Sequence, residues 1–235
     1  MKEDQCYCCN EIATTKDHIP PKCFFPEIKY FPDGSPDYRS QLVTVPACKM
    51  HNNSRSADDE YTAAIIFLHS RSEIALAMLD AKWIKVMSRR ESSLGRKIFS
   101  AARLARTINK ENGLLSVRKT LAISYDIKRI ENVIEAIARA LYFHDSDGQD
   151  KWMGNCVIRS PHFRYRDLKL PRDDYYLNQV NQVFIYGENK KDLSLERKGA
   201  NPDVFYYQLL KHQDSITIVI RMVFYGDIIF FAFLK

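Results

Sequence analysis

Two short pairs of metal-ligating residues, Cys6-Tyr-Cys-Cys9 and Cys48-Lys-Met-His51, constrain this chain more than any other feature of its sequence. Each pair leaves two residues between its ends, the spacing at which one tight loop offers two ligands to the same side of a tetrahedral zinc ion. Cys6 and Cys9 make the first pair and leave Cys8 as the odd thiol; Cys48 and His51 make the second, so the expected site has three thiolates and one imidazole. Five of the six cysteines fall in the first fifty residues, and only Cys156 lies outside. A disulfide scaffold spreads its cysteines through the fold, whereas a metal site clusters them. The bland alternative is a set of small buried thiols and a surface histidine. Pro20, Pro21, Pro26, Pro32, Pro36 and Pro46 exclude long helices from the intervening segment, and zinc would supply folding energy that so small a core cannot.

Between the pairs lies Thr15-Lys-Asp-His-Ile-Pro-Pro-Lys22. A histidine at a strand end before a proline turn can point its ring into a cleft while the carboxylate of Asp17 reaches a cation. Gln41 to Val45 is β-branched, reads as a strand, and is expected to end at Pro46. Asp58-Asp59-Glu60 then opens a helix with acids in its first turn.

The order Cys-x-x-Cys, Asp-His-Ile-x-Pro, Leu-Val-x-x-x-Ala-Cys-x-x-His-Asn resembles the HNH endonuclease family of the ββα-metal fold, over residues 6 to about 61. The resemblance implies that His18 is the general base that activates water, that Asp17 and Asn52 ligate a catalytic Mg²⁺ or Mn²⁺, and that Cys6, Cys9, Cys48 and His51 hold a structural Zn²⁺. It departs at Gln41, which stands where the family carries an asparagine that holds the loop of the general base, and at His51, where cysteine is commoner. Lys22 and Lys49 are near enough in sequence to touch a phosphate, though either reads equally as a solvated surface lysine.

Charge adds a second theme. From Lys82 to Lys110 there are nine basic residues against Glu91 alone, in a chain whose net charge is +6, so the remainder is slightly acidic. Such asymmetry suits a polyanionic partner, or simply a solvated face. Lys82, Arg89, Arg96, Arg103 and Lys110 recur every seven residues and, on a continuous helix bent near Ser92 to Gly95, would line up as a nucleic-acid-binding stripe. A further helix is marked by Ile127, Ile130, Ile134, Ile137 and Leu141 and ends at His144 to Gly148. From Trp152 the pattern turns strand-like, with strands expected from Val204 and a hairpin of Ile216 to Phe224 and Ile228 to Leu234 turning at Tyr225-Gly226-Asp227. The aromatic residues there (Phe205, Tyr206, Tyr207, Phe224, Tyr225, Phe230, Phe231, Phe233) read as core, not as a base-stacking platform.

The expected fold class is therefore α+β: a zinc-bound ββα-metal head over residues 1–60, then residues 61–235 with a helical middle and a β-containing end. The N-terminus has no apolar core of a signal peptide and the longest apolar run, Ile228 to Leu234, is too short to cross a bilayer, so a cytoplasmic protein with no membrane partner is expected. The leading functional expectation is a metal-dependent endonuclease acting on DNA ahead of RNA, of a defence or toxin type. The rivals are a non-catalytic zinc module that binds nucleic acid, and a head that docks a protein partner while residues 62–235 do the main work; residues 61–235 are also a candidate surface for a protein partner or a second copy.

Overall fold

The computed structural model describes residues 5–89, 92–100, 102–111, 114–163, 172–190, 195–211 and 217–235. Strand β1, Thr15–His18, pairs antiparallel with β2, Thr44–Ala47, placing Asp17 opposite Val45 and His18 opposite Thr44. The short helix α1, Lys49–Asn53, follows β2 directly, and α2, Ser56–His69, follows α1. The second strand thus begins later than expected and runs through Pro46. Gln41 has φ 53°, which takes it out of the extended region. Proline is tolerated in β2 because each strand of a two-stranded sheet keeps a free edge.

The basic stretch is not one helix. Helix α3, Glu73–Met78, passes through a π turn at Leu79–Trp83 into α4, Ile84–Ser88, and α5, Ser93–Phe99, starts afresh. Ser72 and Ser92 cap the starts of α3 and α5 by accepting from the backbone N–H groups of Ala75 and Gly95. The chain then turns into a long hairpin, β3, Arg103–Glu111, against β4, Leu114–Ala122. β-Branched residues (Thr107, Ile108, Val117, Thr120) favour strand here, and the seven-residue charge spacing carries no packing face of its own. The expected stripe is broken accordingly: Arg103 and Lys110 lie on a strand, Arg96 on a separate short helix, and Lys82 donates to Glu27 at 2.9 Å.

Helix α6, Ile127–Asp145, is where the periodicity puts it, capped by Asp126 and followed by Gly148 at φ +75°. Its inner face, including Ile130, Ile134, Ile137 and Leu141, is fully buried. After β5, Cys156–Arg159, comes a helix the strand-like reading missed: α7, Arg172–Asn189. Leu177 and Phe184, seven residues apart, are its buried stripe, a helical period hidden by β-favouring Tyr and Val neighbours. Strands β6, Lys198–Asn201, β7, Phe205–Lys211, β8, Ile218–Phe224, and β9, Ile228–Leu234, complete an antiparallel sheet of order β5-β9-β8-β7-β6. Alternation along β9 sorts its two faces. Ile228, Phe230, Ala232 and Leu234 join the main core with α2 and α6, while Phe231 and Phe233 pack under Leu177 and Phe184. The eight aromatic residues named above are all buried, so they are core as expected.

The β8–β9 turn ties this sheet to the N-terminal head. Tyr225 and Gly226 both take positive φ, 56° and 77°, and Asp227 accepts from Ser70 Oγ at 2.7 Å and from the Arg71 backbone N–H at 2.6 Å. The Tyr225 hydroxyl donates to the Phe24 carbonyl, and the Phe24 and Phe224 rings lie 5.4 Å apart. Helix α2 runs through position 60 without a break, and one hydrophobic cluster contains Cys6, Phe24 and Val45 together with Ile134, Phe224 and Phe230. Mixed helices and antiparallel sheets make the fold α+β. Among the described residues no helix is long and apolar enough to cross a membrane.

A candidate metal centre and the expected catalytic residues

The four residues paired by sequence spacing converge in space. Cys6, Cys9, Cys48 and His51 place one ligand atom each within 4.8 Å of one another. The Cys9 and Cys48 sulfurs are 3.9 Å apart; His51 Nδ1 is 3.6 Å from the Cys6 sulfur and 3.2 Å from that of Cys48. Zinc bonds of about 2.3 Å to sulfur and 2.0 Å to nitrogen at tetrahedral angles demand separations of about 3.8 Å and 3.5 Å. The donor set and its spacing therefore fit a tetrahedral metal ion such as zinc. Cys8 stays outside the cluster, as its spacing implied.

Local folding explains the convergence. The Cys6 backbone N–H donates to Glu11 at 2.9 Å, closing the first loop, and the Tyr7 N–H donates to the Pro46 carbonyl at 2.9 Å, docking that loop on β2. Cys48 caps α1, and His51 returns one turn later to the same side. The electrostatics suit a cation. The His51 backbone N–H pulls the Cys48 thiol below its ordinary value, favouring thiolate. Burial pushes the Cys9 thiol up to about 11 and lowers the His51 imidazole, which keeps the imidazole neutral as a ligand. Three crowded thiols resist ionising together until a divalent ion compensates them. Lys151, from the segment after α6, donates to the Cys9 carbonyl at 2.9 Å and braces the first loop.

Asp17 and His18 are neighbours on a strand, so their side chains leave opposite faces. His18 is half-buried at the end of β1, with its imidazole pKa lowered first by burial and then by the Lys22 ammonium. Lys22 and Lys49 are both exposed. Asn52, on α1, lies against the same strand, its Nδ2 donating to Thr15 Oγ1 at 3.0 Å and to the Lys16 carbonyl at 3.3 Å. With both bonds made through nitrogen, the amide oxygen is the atom turned away from β1. Gln41 is exposed and makes no side-chain hydrogen bond among the described residues. The chain beyond His18 is instead held by backbone, the Ile19 N–H donating to the Val43 carbonyl at 2.9 Å.

Asp17 has a partner that sequence reasoning missed. It is buried, and its Oδ2 accepts from Arg55 at 2.8 Å. Arg55 sits at the α1–α2 junction, between Asp17 and a second buried acid, Asp59, with the Tyr7 hydroxyl alongside. One guanidinium thus faces two carboxylates. Burial pushes Asp17 up to about 6 and Asp59 up to about 7, against the pull of Arg55 in each case. Asp59 Oδ1 is buried without a hydrogen-bond partner.

A raised carboxyl pKa penalises folding once the group ionises. The contribution of Asp59 is fully present below its unfolded value of about 4 and is lost as pH rises through about 7. Asp59→Asn removes that penalty and leaves Asp17 with Arg55. Its thermal midpoint at pH 8 should exceed that of the wild type by several degrees, and the gap should close toward pH 4. A lower midpoint at pH 8 would mean that Asp59 is a needed partner of Arg55.

No protein-family model, curated protein or solved structure matches this chain.

Proposed function

We infer that the chain is a metal-dependent phosphodiester endonuclease whose general base is His18. The observation that carries this reading is the arrangement at β1 and α1. A Cys3His cluster pins together the two segments that bear His18 and Asn52, in the strand–strand–helix order of the HNH resemblance. A purely structural zinc knuckle has no need of a half-exposed histidine there with a lowered pKa.

The chemistry follows from the residues. A neutral imidazole at pH 7 accepts the proton of an attacking water, and the lowered pKa of His18 keeps it in that form. Asn52 fixes the approach of α1 to β1 through its amide nitrogen, and its oxygen is a hard donor. By the resemblance, Asp17 and Asn52 would offer oxygens to a Mg²⁺ or Mn²⁺ ion, with water completing the set; Asp17 leaves β1 on the face opposite His18 and is held there by Arg55. Such an ion would neutralise charge developing on the leaving 3′ oxygen. Arg55 shares Asp17 and sets how firmly that carboxylate is held. Lys22 is exposed, and its ammonium helps lower the His18 imidazole.

Attack with a 3′ leaving oxygen fixes the products. Supercoiled plasmid and structured RNA incubated with Mg²⁺ or Mn²⁺ should be cut, DNA the faster, leaving 5′-phosphate and 3′-hydroxyl ends that a DNA ligase reseals. Products carrying 3′-phosphate or cyclic phosphate ends, or equal cutting in EDTA, would defeat the reading.

A further inference from the structure

The β3–β4 hairpin is the part of the molecule whose sequence makes least sense in isolation. Its nine-residue strands pair with each other, and among the described residues that is their only extensive packing. A two-stranded ribbon with no third layer is marginal in water. This one also places Arg106 directly opposite Lys119, a like-charge pair that repels across the ladder. Leu104 and Val117 belong to the same face, two residues along each strand, and are 82% and 62% exposed. Arg106 and Lys119 are exposed too. From residue 103 to 122 there are five basic residues and one acid, Glu111. Among its described side chains the ribbon therefore bears a face of apolar and cationic groups.

We propose that the β3–β4 ribbon is a DNA-gripping arm that lies in the major groove of a duplex, with Arg106 and Lys119 on phosphates or base edges and Leu104 and Val117 against the groove wall. Resting on the nuclease reading above, it names that enzyme's substrate as double-stranded DNA. Charge selects a polyanion, since an anion between Arg106 and Lys119 turns their mutual repulsion into shared attraction. Shape selects the kind of polyanion. The major groove of B-form DNA admits a two-stranded β-ribbon, and exposed apolar side chains there meet thymine methyl groups. The corresponding groove of an RNA duplex is too narrow and deep to enter. The ribbon also replaces the helical stripe as the basic element that reaches a substrate.

The test measures binding without cleavage. Fluorescently labelled 20-base-pair DNA and RNA duplexes of one sequence are titrated with zinc-loaded full-length protein in buffer free of Mg²⁺ and Mn²⁺ at several salt concentrations. Wild type should bind the DNA duplex at least tenfold more tightly than the RNA duplex. Arg106→Ala with Lys119→Ala should weaken DNA binding by about 10- to 100-fold at 0.1 M salt and reduce the log–log salt slope by about 2. Lys119→Glu separates binding from folding, because it places opposite charges across the ladder and should hold or raise the thermal midpoint while still weakening DNA binding about tenfold or more. His18→Ala should bind as wild type does and cut far more slowly; a wild type that binds the DNA duplex but does not cut with Mg²⁺ or Mn²⁺ would fault the nuclease reading and leave the arm intact. Unchanged DNA binding in either arm variant, or RNA duplex bound as tightly as DNA, overturns the arm.

Discussion

His18→Ala should slow DNA cleavage by about 10²- to 10⁴-fold while leaving DNA binding and the thermal midpoint close to wild type. The side chain is half-buried at the end of β1 and its ring is absent from the hydrophobic core, so truncation removes chemistry more than packing. Its pH signature follows from the same environment. Burial and Lys22 lower the imidazole below its ordinary 6.5, and the base works only when neutral. The midpoint of the fall in wild-type rate on acidification should therefore lie below pH 6.5, where the ring gains its proton. A base with a raised pKa would lose rate already on descending through pH 7. Single-turnover cleavage across pH 5 to 8 reads both effects, and added imidazole should partly restore the alanine variant at neutral pH. A variant that cuts within threefold of wild type would remove His18 from the chemistry.

Cys48→Ser should be the most damaging change to the fold. Its sulfur lies against both Cys9 and His51, so one substitution opens the centre of the cluster. Structural zinc contributes about 10–16 kcal/mol of apparent binding energy in small modules at neutral pH, as much as the whole stability of an ordinary domain. The head has little else to replace it: β1 and β2 have four residues each and α1 has five. Metal analysis should find about one zinc per wild-type chain and close to none in the variant. Limited proteolysis should then cut the variant between residues 5 and 48, where the metal-bound wild type resists. Because Phe24 and Val45 belong to the core shared with α6 and β9, the damage should also lower the midpoint of the remainder. A zinc-free wild type with an intact head would show that hydrogen-bonded thiols suffice.

What sequence revealed here was set by how local each cause is. The four residues of the candidate metal centre were legible because two residues of spacing are a direct geometric instruction, and the structure needs only to bring two such loops together. Helix α6 and strands β7 to β9 were legible because one buried face imposes a clear period of 3.6 or 2. Arg55 was not: Asp59 lies four residues on along the helix that Arg55 begins, but Asp17 lies on β1, 38 residues away, and only the fold brings it to the same guanidinium. Charge without a buried face misled in the β3–β4 region, where residues seven apart suggested a stripe that a strand does not possess. In α7, β-favouring side chains outweighed the wider spacing of Leu177 and Phe184. Gln41 was the weak point of the resemblance, and the backbone bond from Ile19 to Val43 now anchors the segment that an asparagine would have held.

The central claim, that this zinc-built head cuts DNA through His18 with a second divalent ion, is tested most directly by titrating Mg²⁺ into zinc-loaded, Mg²⁺-free protein and following plasmid nicking beside His18→Ala. The account predicts no nicking at the start, a rate that rises and saturates with Mg²⁺, and a His18→Ala rate at least a hundredfold lower at saturation. A wild-type rate that ignores Mg²⁺, no nicking with either Mg²⁺ or Mn²⁺, or equal rates for the two proteins would contradict it.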